Sequence, residues 1–472
     1  MNKNLRRSLA TLASASLAIA APAFAQEPVQ AQTPVKPAAS TPKPSAAPAQ
    51  TQPPVAPETS SPVIQPLPGT EADAAPPVEL NPVRAWPVAD ASALLRVIEG
   101  IGSEGLFPRD YNPAELKAAI AGGAGDGLNR AASQSFTWLV EDLRDGRTPM
   151  DQRKQWFVVD TDPDTSPTAA VMEKALASHD IAGSLASLAP THPDFTTLRQ
   201  MLAETPQTNK AERTKIRINM DRWRWLPRDL GGTYLLTNVP EFQLRLTVND
   251  KIIRSYKTVV GKPGRTATPQ LSEVVEGVIF NPTWTVPQSI VVGEGLGARA
   301  LGNPGWARAK GYKAWKDKAS GFVTVVQQPG PGNALGLVKL DMPNPHAIFL
   351  HDTPSKNAFD LETRALSHGC IRTERALEMA MTMAILGGGA SPEEAVAISS
   401  SGKYTRVPMK KTFPVYITYF TMAEDIDGVM RSFNDLYDRD VPVVESFAAA
   451  RQLKTGQRET EEEVVPLEDA GL

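Results

Sequence analysis

The runs Ala347-Ile348-Phe349-Leu350-His351 and Ser367-His368-Gly369-Cys370-Ile371-Arg372, the second leading into a helical pattern from Thr373 to about Leu386, decide how this chain is read. The first run is apolar and β-type and closes on a histidine. His351 therefore falls at a strand end, a rigid place from which to present a base. The second run holds Cys370, the sole cysteine in 472 residues. A lone cysteine in an exported chain has no intramolecular disulfide partner, so it is either an inert packed residue or a reactive thiol. Its neighbours favour the thiol. Gly369 lets the backbone approach closely, His368 can donate a proton, and the charge of Arg372 lowers a thiol pKa. Thr373 is the expected N-cap of the following helix.

The segment between His351 and Cys370 can return the chain so that imidazole meets thiol. Imidazole then takes the thiol proton, and the expected resting state is an ion pair stable at neutral pH. The backbone amides of Gly369 and Cys370 are the expected oxyanion donors. A three-ligand zinc set from His351, His368 and Cys370, with Asp352 nearby, is the competing chemistry. It lacks a second cysteine or a helical histidine pair, so neither metal nor cofactor is expected.

Outward from this centre the C-terminal half is strand-rich. Phe242, Leu244, Leu246 and Val248 alternate with Gln243, Arg245, Thr247 and Asn249, the pattern of a half-buried strand. Asn249-Asp250 reads as a turn, with a return strand over 252–260. Further β-type runs are 274–280, 322–326, 347–351 and 414–420. A Gly/Pro-rich stretch over 287–345 is too long for a plain connection and reads as a packed, lid-like insertion. Trp306, Tyr312 and Trp315 are expected to pack it.

Residues 88–205 read as a small helical domain. Ala93, Leu94, Val97, Ile98 and Ile101 hold helical spacing, Asn112-Pro113 starts a second helix, and Phe136, Leu139, Val140 and Leu143 mark another. His179 and His192 lie here without metal-ligand spacing, so surface or capping roles are expected. Before this domain, residues 26–87 hold 16 of the 42 prolines and read as an extended tether that cannot bury a core. Residues 1–25 read as a signal peptide: Lys3, Arg6 and Arg7 precede a short apolar run that ends at Ala23-Phe24-Ala25. The acidic tail over 446–472 is expected to fray. The fold class expected is α+β, with a helical domain at 88–205 before a strand-rich one at 206–445.

The chain's net charge is −3, and removing the three cations of residues 1–25 makes it more acidic. That balance argues against nucleic acid as a partner. No transmembrane segment is expected after signal cleavage, and the expected location is a bacterial periplasm.

His351-Asp352-Thr353-Pro354 followed by Ser367-His368-Gly369-Cys370-Ile371-Arg372 resembles the signature of the YkuD-type L,D-transpeptidases. Five further runs resemble the larger YcbB-type branch. They are Arg222-Trp223-Arg224-Trp225-Leu226-Pro227, Val259-Val260-Gly261-Lys262, Asn281-Pro282-Thr283-Trp284-Thr285-Val286-Pro287, Pro329-Gly330-Pro331-Gly332-Asn333-Ala334-Leu335-Gly336 and Gly105-Leu106-Phe107-Pro108-Arg109-Asp110-Tyr111. The resemblance covers roughly residues 88–445.

It implies a peptidoglycan enzyme that cleaves the L,D bond before the terminal D-alanine of a tetrapeptide stem, forms a thioester, and passes the acyl group to an amine of a second stem as a 3–3 cross-link. Carried over, Cys370 is the nucleophile and His351 the base. Ser367, His368 and Gly369 shape the oxyanion region, and Arg372, Trp284 and Phe349 contact substrate. Peptidoglycan stem peptides, carbapenem-type inhibitors and cell-wall synthases are the implied partners. Two departures stand out. Thr197-Leu198-Arg199-Gln200 leads almost directly to the segment 211–224, which leaves no room for the branch's wall-binding helical module. Phe349 stands where many relatives carry tyrosine.

The same acyl-enzyme resolved by water is an L,D-carboxypeptidase, and an outer-membrane protein is a further acceptor. A Cys–His endopeptidase of the NlpC/P60 type places cysteine before histidine, the reverse of this order. A wall-binding scaffold without turnover is disfavoured by the intact Cys370 and His351.

Overall fold

The computed structural model describes residues 81–159, 162–249, 251–452 and 459–462. The signal peptide at 1–25, nearly all of the tether, most of the acidic tail and Asp250 of the expected turn lie outside them.

In the N-terminal region the apolar spacing produces helices that share one core. Helix Val88–Gly100 buries Leu94 and Ile98. Asn112 adopts a left-handed φ of 50° and hands over to helix Pro113–Ala121, whose leading proline loses no helical hydrogen bond. Helix Asp126–Asp145 supplies Phe136, Leu139, Val140 and Leu143 to the same core as Leu94, Ile98, Trp86 and Tyr111. Both histidines here sit at helix ends. His179 is left-handed at the end of helix Thr168–Ser178 and pairs with Asp90. His192 Nδ1 accepts from Asp194 N at the start of helix Pro193–Glu204.

The strands run β1 Trp156–Phe157, β2 Thr233–Asn238, β3 Gln243–Val248, β4 Lys251–Gly261, β5 Gln270–Phe280, β6 Trp284–Thr285, β7 Tyr312–Lys316, β8 Val323–Gln327, β9 Val338–Asp341, β10 Leu350–His351, β11 Ala365–Ser367, β12 Ile371–Thr373 and β13 Thr405–Thr418. Pairing runs β5-β13-β2-β3-β4-β12-β10-β9, and β9 pairs back to β5, so this sheet closes on itself. β1 adds in parallel to the start of β5, and β11 pairs with β4. Helix Ala376–Leu386 lies against β5, β9 and β13. It buries Ala376, Met379, Ala380, Met383 and Ala384, a single stripe at helical spacing.

Two local expectations fail here. Thr373 is the last residue of β12 and fully buried, and the residue that precedes the helix is Arg375, at φ 48°. Strand β3 is buried on both faces. Leu244 and Leu246 face the barrel core, while on the other side Arg245 and Thr247 share a recess with His192, Asp194, Trp223 and Phe420. Arg245 is therefore buried. It is held by the Glu241 carboxylate at 2.6 Å and the Glu424 carbonyl at 2.6 Å, because a buried cation must be paired.

The insertion is shorter than 287–345. Strand β9 belongs to the barrel, so the lid proper is the small sheet β6-β8-β7 with helices Leu296–Gly302 and Pro304–Ala309. Val286, Val291 and Val325 form its core, with Trp284 and Tyr312 against them. Trp306 stacks on Tyr312 with ring centroids 5.7 Å apart, whereas Trp315 is 50% exposed and packs none of it.

Candidate active site

Strand register builds the site. Strands β10 and β12 run parallel, with Leu350 opposite Ile371 and His351 opposite Arg372. Side chains alternate along a strand, so Leu350 and Ile371 enter the core, both fully buried. Phe349, His351, Cys370 and Arg372 share the opposite face and line one cleft of about 600 Å³. The far wall is the lid, through Trp284, Glu294, Arg299, Trp306 and Tyr312.

His351 is buried and its Nδ1 lies 2.5 Å from the carbonyl oxygen of Asp352. A carbonyl only accepts, so Nδ1 carries the hydrogen and Nε2 keeps a lone pair. Burial holds this imidazole down at about 4, with Arg372 and Lys339 acting in the same sense and the Asp352 bond opposing them. Asp352 is fixed in turn: Leu337 N donates to its carboxylate at 3.0 Å and Lys356 pairs with it. Gly336 sits at φ 63°, and any Cβ there would collide with that carboxylate.

The Cys370 thiol donates to the Ala347 carbonyl at 3.4 Å. Ala347 is itself left-handed, at φ 53°, in a turn braced by Asn344, so the expected strand over 347–351 is confined to its last two residues. Burial pushes the thiol up, while the Phe349 N–H, Lys339 and Arg372 pull it back. Burial thus disfavours both charged forms of the expected ion pair, thiolate and imidazolium alike.

The turn that presents Cys370 is tied down from behind. The Ser367 hydroxyl donates to the Cys370 carbonyl at 2.6 Å and accepts from Gly369 N at 3.1 Å. Thr268 Oγ1 accepts from Gly261 N at 2.9 Å and donates to the Gly369 carbonyl at 2.7 Å. The amide of Gly369 is thereby turned to Ser367, which is buried and ties this turn together. His368 is exposed, lines the same cleft and turns to the lid, with Nε2 3.6 Å from Glu294. Among the described residues no group of three or more His, Cys, Asp or Glu is arranged to hold a metal.

Trp284, Phe349 and Arg372, expected to contact substrate, line the cleft. Lys339 was missed. Its ammonium lies 3.4 Å from the Phe349 ring centroid and lines the same cleft. The alternation Val338-Lys339-Leu340-Asp341 carried the signal, hidden by assigning that stretch to the insertion. Thr268 was also missed, since nothing in its neighbourhood marks it.

Residues 232–417 match the family model YkuD, the L,D-transpeptidase catalytic domain, and residues 84–202 match the Scaffold domain. The chain thus carries a strand-rich YkuD L,D-transpeptidase domain behind a helical Scaffold domain. A "Putative L,D-transpeptidase" of Haemophilus influenzae is 27% identical over 247 residues, which make up 49% of each chain. This chain spans about half the length of that relative. Among solved structures, an L,D-transpeptidase from Mycobacterium smegmatis is 13% identical, covering 40% of this chain and 58% of its own, with a TM-score of 0.20. Mycobacterium tuberculosis L,D-transpeptidase 1 is 13% identical, covering 40% and 61%, with a TM-score of 0.17.

Proposed function

We propose that this chain is a periplasmic L,D-transpeptidase of the YcbB-type branch that forms 3–3 cross-links in peptidoglycan through a Cys370 acyl-enzyme. The observation that carries the reading is the shared cleft face of Cys370 and His351, one strand apart, with Nε2 of His351 left as a free base. His351 takes the thiol proton as Sγ attacks the carbonyl of the donor's diamino acid. The tetrahedral oxyanion collapses, the L,D bond breaks, and His351 returns the proton to the amine of departing D-alanine. The side-chain amine of a second stem then attacks the thioester, loses its proton to His351, and the proton returns to sulfur as the C–S bond breaks. Charge develops only during reaction, so Lys339 and Arg372 stabilise the transient thiolate more than the resting thiol.

A thioester survives to meet an amine only if water is kept out. The lid over the cleft supports cross-linking over the carboxypeptidase alternative, in which water resolves the same intermediate. Attachment of wall peptides to an outer-membrane protein uses the same donor step with another amine. Carbapenem-type inhibitors, whose strained amide presents a comparable carbonyl, are expected to acylate Cys370.

Two measurements test the proposal. Intact-mass analysis should show one carbapenem adduct on the wild type and none on Cys370→Ala. Mass spectrometry of muropeptides, with and without the protein, should show 3–3 dimers that depend on it. An adduct on Cys370→Ala, or the appearance of tripeptides in place of dimers, would sink the cysteine assignment or the cross-linking activity respectively.

A further inference from the structure

The lid has a second face. Along β7, Tyr312 and Ala314 turn inward to the lid core, so Lys313 and Trp315 turn outward. Register places Trp315 beside Thr324 of β8 and Lys313 beside Val326, with Thr285 of β6 next in the same row. This outer face has no covering layer among the described residues, and Trp315 is 50% exposed on it. The charge is lopsided as well. Residues 284–327 as a whole contain Arg299, Arg308, Lys310, Lys313, Lys316 and Lys318 against Glu294 and Asp317, a net of +4 in a chain of net −3, and Lys313 is the cation in the Trp315 row.

We propose that this face is a docking surface for the wall polymer itself, a polysaccharide strand bearing carboxylate-rich peptides. The inference deepens the proposed function and rests on it for the identity of the polymer. An exposed indole offers a flat apolar platform for the carbon–hydrogen face of a sugar ring. Lys313, two residues from Trp315 on the same face, meets carboxylates beside it. Each exposed ion pair is worth at most about 1 kcal/mol. Affinity must therefore come from several pairs engaged along one strand, so a long polymer binds and a single stem does not. The inner face of the same lid lines the cleft through Trp306 and Tyr312. A strand held outside thus keeps its pendant peptides close to Cys370.

A lipid surface fits less well. The β7–β8 turn carries the exposed Phe322 but is otherwise polar, with the Asp317 carboxylate accepting from Ala319 N, Ser320 N and Ser320 Oγ. Trp315 lies within β7 beside Lys313, and Phe322 with Trp315 makes a smaller apolar patch than the apolar helix face that enters a bilayer.

The test is co-sedimentation of the full chain with purified insoluble peptidoglycan at low and high salt. Trp315→Ser and Lys313→Glu should each lower the sedimented fraction at least fivefold at low salt. D-alanine release from a soluble tetrapeptide stem should be unchanged in both. Wild-type sedimentation by the variants overturns the proposal. So does loss of binding to phosphatidylglycerol vesicles with sedimentation intact, which assigns the face to membranes. Failure of the wild type to release D-alanine counts against the proposed reaction instead, and leaves the sedimentation result to decide the docking face by itself.

Discussion

Lys339 on β9 is the antiparallel register partner of His351 on β10. The pairing sets an ammonium beside the base, and Coulomb repulsion from it disfavours imidazolium while favouring thiolate at Cys370.

His351 works as a base only when unprotonated. With its pKa at about 4, kcat/KM should hold level as pH falls through the ordinary histidine range and drop only near pH 4. Replacing Lys339 with Met removes a cation, so the imidazole pKa rises and this acid limb moves to higher pH. The thiol pKa rises too, and alkylation of Cys370 by iodoacetamide should slow by up to about tenfold, the effect of a one-unit shift. Lys339→Arg should restore both. A limb that stays in place or moves down shows that the ammonium does not act on the base.

His351→Ala should lower acylation by roughly 10²–10⁴-fold, the usual worth of a general base. His368→Ala should cost far less, because that imidazole is exposed and meets only Glu294 across the cleft mouth. Stopped-flow acylation by a carbapenem compares the two. The reverse order would make His368 the base.

Thr268→Val keeps the shape of the side chain but removes both hydrogen bonds that brace the Gly369 carbonyl and the Gly261 amide. A net loss of roughly 1–3 kcal/mol in holding that turn predicts about 10- to 100-fold slower acylation with the melting temperature little changed. Thr268→Ser should recover most of the rate. An unaltered rate in Thr268→Val means the turn holds its place through Ser367 alone.

Trp306→Ala removes the stack on Tyr312 and the Arg299 guanidinium contact 4.1 Å above the Trp306 ring. The lid core of Val286, Val291 and Val325 remains. Deleting 302–321 instead would strip β7 and bare Val325, so the point change is the cleaner test. The ratio of hydrolysis to cross-linking should rise in Trp306→Ala on tetrapeptide-rich peptidoglycan. A ratio equal to wild type removes the lid from acceptor choice.

The floor of the cleft was legible because strand alternation is local: Phe349 and His351, and likewise Cys370 and Arg372, are two residues apart. The helix after the nucleophile was legible from the stripe of Ala376, Met379, Ala380 and Met383, but its start was not. Thr373 is drawn into β12 by pairing with Thr258 of β4, a contact over a hundred residues distant in sequence. Arg245 read as solvent-facing because its strand alternates cleanly, and only the helices packed behind β3 show otherwise. The burial that opposes charge on the Cys–His pair was hidden for a related reason. Neighbouring cations are written in the sequence, whereas the desolvation that outweighs them arises only when the barrel and lid close around the site.

Strand β1 comes from the N-terminal side of the chain, yet Trp156 and Phe157 pair with Gln270 and Leu271, and Gln270 N donates to the Gln155 carbonyl at 2.9 Å. What the sequence divides into two modules is therefore stitched at the backbone. A protease that cut between them would not liberate a working enzyme, and a gene fragment encoding only the later module would yield a sheet with an open, sticky edge. Modules joined this way must fold together, so a change in the helical half reaches the barrel through the backbone itself.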